Sequence, residues 1–328
     1  MNEFTSIFAA ELSEYIAIRG KVLAPGSLLL DRRVLANFDR YVSECVVIDK
    51  RVSENLVNGW ISRLREKNHS RTVSDKVSCL RGFLEYLRYS GVQVFMPRRP
   101  KWSEDYIPYI FSDSEMADIF RAADNAALKT TGSTVCEFEL PMLLRLLYGC
   151  GLRLGEALSL IVGDVDFKCG TLLIRKAKNN KQRIAPMHET LSKMLTQYCA
   201  AMTIIEKPEA LLFPGVKSDK SLSKTGVNLK FRNILKAIGV YAAPEKPGRR
   251  GQCVHCLRHL FAVKSFAQVE RNGRPTTDSV PYLSVYLGHY DMDGTEKYLK
   301  FGSDIFPEHT ELFAAYSASV FSVLGGAE

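Results

Sequence analysis

Apolar positions recur at helical spacing through most of the first ninety residues. Ile7, Phe8, Leu12, Tyr15 and Ile16 predict a helix from Phe4 to about Gly20. Ala24-Pro25-Gly26 breaks the pattern, and a second helix is expected from Leu28 to about Cys45, with Leu30, Val34, Phe38 and Tyr41 on one face. A third starts from Ser53 as a cap and continues through Leu56, Trp60 and Leu64. The fourth has the clearest stripe, Val77, Leu80, Phe83, Leu84 and Leu87, with Ser74 as its cap and Gly91 as its stop. Four short amphipathic helices make a small bundle over residues 1–96. Arg63, Lys67, Arg71, Lys76 and Arg81 lie between the stripes, where they read as a solvated face more readily than as nucleic-acid contacts.

Met96-Pro97-Arg98-Arg99-Pro100-Lys101 interrupts this pattern and marks a linker over residues 97–106. Two prolines forbid regular helix there. Its cations suit either a phosphate backbone or a solvated hinge. A second module, 107–328, opens with a helix from Ser112 or Ser114 through Met116, Ile119 and Phe120. Two helices around Gly149-Cys150-Gly151 follow, the second from Arg153 to Leu160, with Glu156 one turn after Arg153 and able to face it. Thr171–Arg175 and Arg183–Met187 read as a β-hairpin, with the basic tip Lys176-Ala177-Lys178-Asn179-Asn180-Lys181-Gln182. That tip serves equally well as edge-strand protection or as a probe of a nucleic-acid groove. Gly226 to Ile238 reads as helix, and the loop around Arg249-Arg250 as flexible and basic. Residues 307–324 form a last amphipathic segment, either a core helix or one that docks on a neighbouring protomer.

Composition changes this picture only slightly. The 328 residues are 46% hydrophobic and 24% charged, as in an ordinary soluble globular protein. A formal charge of +8 makes a polyanionic partner plausible without requiring one. The N-terminus lacks the layout of a secretory signal, and no apolar run approaches a membrane span of about 20 residues. The eight cysteines are therefore read as free thiols of a reducing cytoplasm. Cys253-Val254-His255-Cys256 has the CxxC spacing, but a structural zinc needs a second ligand pair and the nearest other cysteine is Cys199. Metal or redox chemistry is not expected.

The stretch from Cys253 to Tyr298 carries the candidate chemistry. His255-Cys256-Leu257-Arg258-His259 stands at one end, Leu287-Gly288-His289 near the other, and Tyr298 follows nine residues later. Guanidinium forks suit the non-bridging oxygens of a phosphodiester. A phenol is a plausible nucleophile toward phosphorus once its proton, with a free pKa near ~10, is removed. HxxR alone is weak, and a histidine on an apolar helix is usually structural. The ordered set, an arginine after a glycine turn, a hairpin lysine, HxLRH, LGH and a tyrosine, is far more specific.

On these residues the chain resembles the tyrosine site-specific recombinases, or phage integrases. Tyr148-Gly149-Cys150-Gly151-Leu152-Arg153-Leu154-Gly155-Glu156-Ala157-Leu158 is similar to the first box of that family. His255 to Ala262 is similar to the second, and Leu287-Gly288-His289 with Tyr298 to the third. Lys178 stands where the family's hairpin lysine is expected. The similarity is good over about 107–300 and looser over the N-terminal bundle. Cys256 replaces a residue that is often polar, and Glu270 to Ser279 reads as a longer loop than usual.

The resemblance implies a mainly α (α+β) fold: a helical bundle that binds core DNA, and a mixed helical catalytic domain with a small antiparallel sheet. It implies that Arg153, Lys178, His255, Arg258, His289 and Tyr298 are catalytic, with Glu156 supporting Arg153. Arg98, Arg99, Lys101, Lys176, Lys181, Arg249 and Arg250 are the expected DNA contacts. Neither metal nor ATP is implied. The expected partners are double-stranded DNA carrying recombination sites and three further protomers exchanging the 307–324 helix, with accessory proteins left open, in a nucleoid-associated cytoplasmic setting. Because the first bundle begins almost at Met1, an additional arm-binding module is not expected, which favours a recombinase of a mobile element. A type IB topoisomerase is disfavoured by the short chain and separate bundle, and a non-enzymatic DNA-binding regulator by the intact tyrosine.

Overall fold

The computed structural model describes residues 4–45, 47, 49–102, 107–128, 135–175, 182–215, 220–243, 251–288 and 295. The chain divides into two compact units, with the boundary between Tyr106 and Ile107.

The first unit contains α1 (Ala9–Gly20), α2 (Pro25–Glu44), α3 (Glu54–Lys67) and α4 (Ser70–Tyr89). Their apolar stripes meet in one core that includes Phe8, Leu12, Leu35, Phe38, Trp60, Leu80 and Phe83. Phe38 and Trp60 pack edge to face at 5.4 Å, and the indole donates to Asn37 Oδ1 at 3.0 Å, so its polar edge is satisfied. Asp39 is buried on α2, but its carboxylate accepts from the backbone N–H groups of Thr5 (2.8 Å) and Ser6 (3.0 Å).

Two helix starts differ from the sequence expectation. Pro25 does not precede α2; it opens it, because a first-turn residue needs no N–H partner and proline already has helical φ. Ser74 does not cap α4. It is buried inside that helix, which starts at Ser70, because Val73 continues the apolar stripe one turn upstream. Ser53 caps α3 through Leu56 N at 3.3 Å. After α4 the chain is irregular. Arg81 donates to the carbonyl of Pro97, Arg71 lies 4.4 Å from the Trp102 ring centre, and Arg98, Arg99 and Lys101 are exposed.

The second unit contains α5 (Asp113–Ala127), α6 (Val135–Cys150), the single turn α7 (Leu154–Ala157), strands β1 (Val165–Asp166), β2 (Thr171–Ile174) and β3 (Arg183–Pro186), then α8 (Glu189–Ala201), α9 (Lys224–Ala237), α10 (His255–Arg271) and α11 (Thr276–Leu287). The strands form an antiparallel sheet in the order β1-β2-β3, with Leu172 opposite Ala185. Ser112 and Glu115 close a reciprocal capping box at the start of α5. Buried side chains of α6, among them Leu143, Leu144 and Leu147, share a core with Leu172, Phe213, Phe231 and Leu257. This is the mainly helical architecture with a small antiparallel sheet that the sequence predicts. No helix among the described residues is long and apolar enough to cross a membrane.

Some local expectations fail here. The helix after Arg153 ends at Ala157 rather than Leu160, because the next backbone groups pair elsewhere: Leu212 N donates to Leu160 O (2.9 Å), and Val162 N to Ala210 O (2.9 Å). The long loop expected over Glu270 to Ser279 is mostly helix, since α10 reaches Arg271 and α11 starts at Thr276. Gly273, at φ +70°, makes so short a reversal possible. Residues 176–181 of the hairpin tip and residues 307–324 lie outside the described residues.

Candidate active site

The site is built on one carboxylate. Glu156 is 3% exposed and lies at the third position of α7, where its side chain reaches back to the backbone N–H of Arg153 (2.9 Å). The same carboxylate accepts from Arg153 Nη1 (2.8 Å) and from both Arg183 Nη1 (3.1 Å) and Nη2 (2.8 Å). Four donors fill the four acceptor positions of the two oxygens. Burial alone would raise the Glu156 pKa; the hydrogen bonds and charges of Arg183 and Arg153 outweigh it and hold the group down at about 2.

Arg153 and Arg258 are brought to this place by carbonyls at helix ends. Arg153 Nη2 donates to Gly288 O at 2.9 Å. Arg258, on the first turn of α10 and 1% exposed, donates to Gly151 O (2.8 Å) and Leu287 O (2.6 Å), and stands 4.0 Å from Glu156. Carbonyls that end α6 and α11 are natural partners for cations. Both glycines are required by geometry. Gly151 has φ +59°, and a Cβ there would come within 2.4 Å of Phe261. Gly288 has φ +65°, and a Cβ there would lie 3.3 Å from Arg183 Nη1 and 3.6 Å from Arg153 Nη1. Phe261 in turn stacks on Tyr286, whose hydroxyl donates to Cys150 O at 3.2 Å.

Three guanidinium groups around one carboxylate leave a formal excess of two positive charges. Arg153 keeps 24% of its side chain exposed, so part of that charge is accessible from solvent. His255 is exposed at the start of α10, with its ring 4.7 Å from that of His259. A site of this kind suits an anion that gains charge during reaction.

The structure thus gathers Arg153, Glu156 and Arg258, with His255 one turn before Arg258 on α10. Arg98, Arg99 and Lys101 belong to the first unit. Lys176, Lys178, Lys181, Arg249, Arg250, His289 and Tyr298 fall outside the described residues. Sequence reasoning missed Arg183. Its only signal is a charged residue at the head of the alternating run Arg183-Ile184-Ala185, where an exposed strand end is the ordinary reading.

Comparison with known proteins agrees on one family. The model of the phage integrase family matches residues 111–301, more than half of the chain. The protein named "Putative integrase/recombinase y4rE" of Sinorhizobium fredii is 27% identical over 310 residues, covering 93% of this chain and 95% of its own. Tyrosine recombinase XerC of Chlorobaculum parvum is 29% identical over 241 residues, covering 70% of this chain and 68% of its own. Among solved structures, the XerH site-specific recombinase in a post-cleavage complex with its difH substrate is similar in fold, with a TM-score of 0.67, 17% identity, and coverage of 88% of this chain and 80% of that one. A lambda integrase dimer bound to a core site has a TM-score of 0.67 at 16% identity, covering 88% of this chain and 94% of that one.

Proposed function

Since the chain belongs to the phage integrase family and is a tyrosine site-specific recombinase, we propose that it breaks and rejoins duplex DNA through a 3′-phosphotyrosyl intermediate on Tyr298. The observation that carries this reading is the charge-excess cluster in which Arg153 and Arg258 converge on Glu156.

In the proposed reaction the two arginines hold the scissile phosphate and stabilise the charge that builds on its oxygens. His289 adds a further donor. His255 accepts or orients the tyrosine proton as the phenolic oxygen attacks phosphorus. The bond to the 5′ oxygen breaks, and Lys178 supplies the proton that this poor leaving group needs. The phosphotyrosyl bond retains the energy of the broken phosphodiester, so the reverse attack by a 5′ hydroxyl rejoins the strand without ATP. Glu156 touches neither phosphate nor nucleophile in this scheme; it holds Arg153.

The wider reading is that two DNA sites are brought together by four protomers, that strands exchange in pairs through a Holliday junction, and that segment 307–324 docks on a neighbouring protomer. The solved lambda integrase tetramer on a Holliday junction has a similar fold, with a TM-score of 0.64. The cations of the 97–106 linker, of the 176–182 segment and at Arg249 and Arg250 would supply sequence-independent phosphate contacts. Service to a mobile element is favoured by the likeness in fold to the Tn1549 transposon integrase, with a TM-score of 0.62.

The test uses a nicked suicide duplex built from DNA flanking the gene, without metal or ATP. Wild-type protein should form a denaturation-resistant adduct and Tyr298→Phe none, while Lys178→Ala should bind normally and cleave slowly. Equal adduct formation by Tyr298→Phe would end the proposal.

A further inference from the structure

Glu156 is held by two arginines, and the family-like boxes account for only one of them. The other, Arg183, opens β3, has a side chain only 10% exposed, and engages both oxygens of Glu156 in a bidentate fork. We propose that Arg183 is a positioning residue of the cleavage reaction, whose guanidinium pins the Glu156 carboxylate so that Arg153 is held in place and keeps its positive field toward the scissile phosphate. This rests on the role given above to Arg153.

Two properties of the cluster favour this role. The first is charge. If Arg153 alone paired with Glu156, the two would cancel, and a neutral pair is a poor ligand for a phosphodiester. Arg258, 4.0 Å from Glu156, already leaves one positive charge in excess, and Arg183 raises that excess to two, so the carboxylate can orient Arg153 without neutralising the pocket. The second is geometry. Arg153 has a long side chain with several rotatable bonds, and it is fixed at two points, Glu156 Oε1 and Gly288 O. Arg183 fixes the first of these points from the sheet, and both guanidiniums lie where a side chain at Gly288 would crowd them.

The pocket also gives a signature. Arg153 faces Glu156 from the cap of α7, Arg183 from β3 and Arg258 from α10. Close by stand the Tyr286 phenol of α11 and the Cys150 thiol at the end of α6, both pushed up by burial, and the Lys224 ammonium of α9 near Gly155. Removing Arg183 leaves burial, which favours the protonated carboxyl, opposed mainly by Arg153. Glu156 should then take up a proton at a higher pH than in the wild type, and Arg153 should lose its hold with it.

Single-turnover cleavage of the suicide duplex is therefore measured from acid to neutral pH for wild type, Arg183→Ala, Arg183→Gln and Arg183→Lys. The rate should fall by up to about a hundredfold in Arg183→Ala, as for a small misplacement of a reacting group, with DNA affinity nearly unchanged. Its acid limb should move to higher pH. Lysine keeps the charge but not the fork and should recover part of the rate. In a Glu156→Gln background, Arg183→Ala should no longer move the acid limb. A loss equal at every pH, or no loss, overturns the proposal, and the glutamine and lysine variants decide it even if the alanine variant does not fold. Arg153→Ala is run in parallel: wild-type cleavage by that variant would overturn the underlying phosphate assignment instead.

Discussion

Two carboxylates of the second unit are equally hidden from water and behave in opposite ways. Glu156 is 3% exposed and Glu139, on α6, is 0% exposed. Burial pushes Glu139 up to about 8, and neither of its oxygens has a hydrogen-bond partner among the described residues. Glu156 is driven the other way, to about 2, because two guanidiniums more than repay its burial. Glu139 lies close enough to Tyr198 on α8 for its charge to add to burial in raising that phenol, but the Tyr198 hydroxyl donates to Leu212 O at 2.9 Å instead. Depth alone therefore does not decide the charge of a buried acid; the surrounding donors do. At neutral pH one of these acids is an anion that organises a site, and the other is a largely neutral filler of the core.

The sharpest way to break this contrast is to remove the anion. Glu156→Ala leaves Arg153 and Arg183 facing each other without compensation, and should cost about 3–5 kcal/mol in denaturant unfolding. A loss comparable to that of an average surface substitution would mean that the cluster is held by something other than its carboxylate. Acid titration follows from the same geometry. Glu156 is depressed in the folded state, so its contribution is present above the ordinary carboxylate pKa and disappears as pH falls through about 2. Glu156→Gln should flatten that part of the stability curve.

Glu139 has the reverse sign. Its folded pKa is raised, so stability is intact below the ordinary value of 4.5 and declines as pH rises through about 8. Glu139→Gln should therefore match the wild-type unfolding free energy in weak acid and exceed it in alkali by up to a few kcal/mol, read from denaturant unfolding. If alkaline pH affects both proteins alike, Glu139 has a partner that keeps it ionised. The smallest effect is expected at an exposed acid. Glu189 pairs with Lys193 one turn along α8, with both side chains at least 70% exposed. Lys193→Ala should change stability by less than about 0.5 kcal/mol, and by nothing measurable in high salt.

The parts of this molecule that could be read in advance are those whose cause is local. Ser53 and Ser112 act as caps where a serine precedes an apolar stripe, and the stripe of α4 is legible from Val77 to Leu87. Arg153, Glu156 and Arg258 stand in short boxes with fixed spacing, which singled them out as candidates before any fold was known. What escaped depends on contacts far along the chain. The end of α7 is set by pairing with residues 210–212, which nothing near Leu158 announces. Arg183 looks like an ordinary strand terminus until β3 is placed beside α7. The helix α8 and strand β1 were not anticipated; β1 is two residues long and exists only because β2 pairs with it.

The arginine stitches to Gly151, Leu287 and Gly288 also bear on how the protein is made. They join positions 107, 29 and 135 residues apart. Contacts of such high order close late, after the entropy of long loops has been spent. During synthesis the first unit and most of the second can collapse while Arg258 still lacks the carbonyl of Leu287 and Arg153 that of Gly288. Arg258 cannot be satisfied in its buried place until residue 287 has left the ribosome. A nascent or truncated chain is thereby kept from holding a finished arginine pocket, which closes only once the end of α11 is in place.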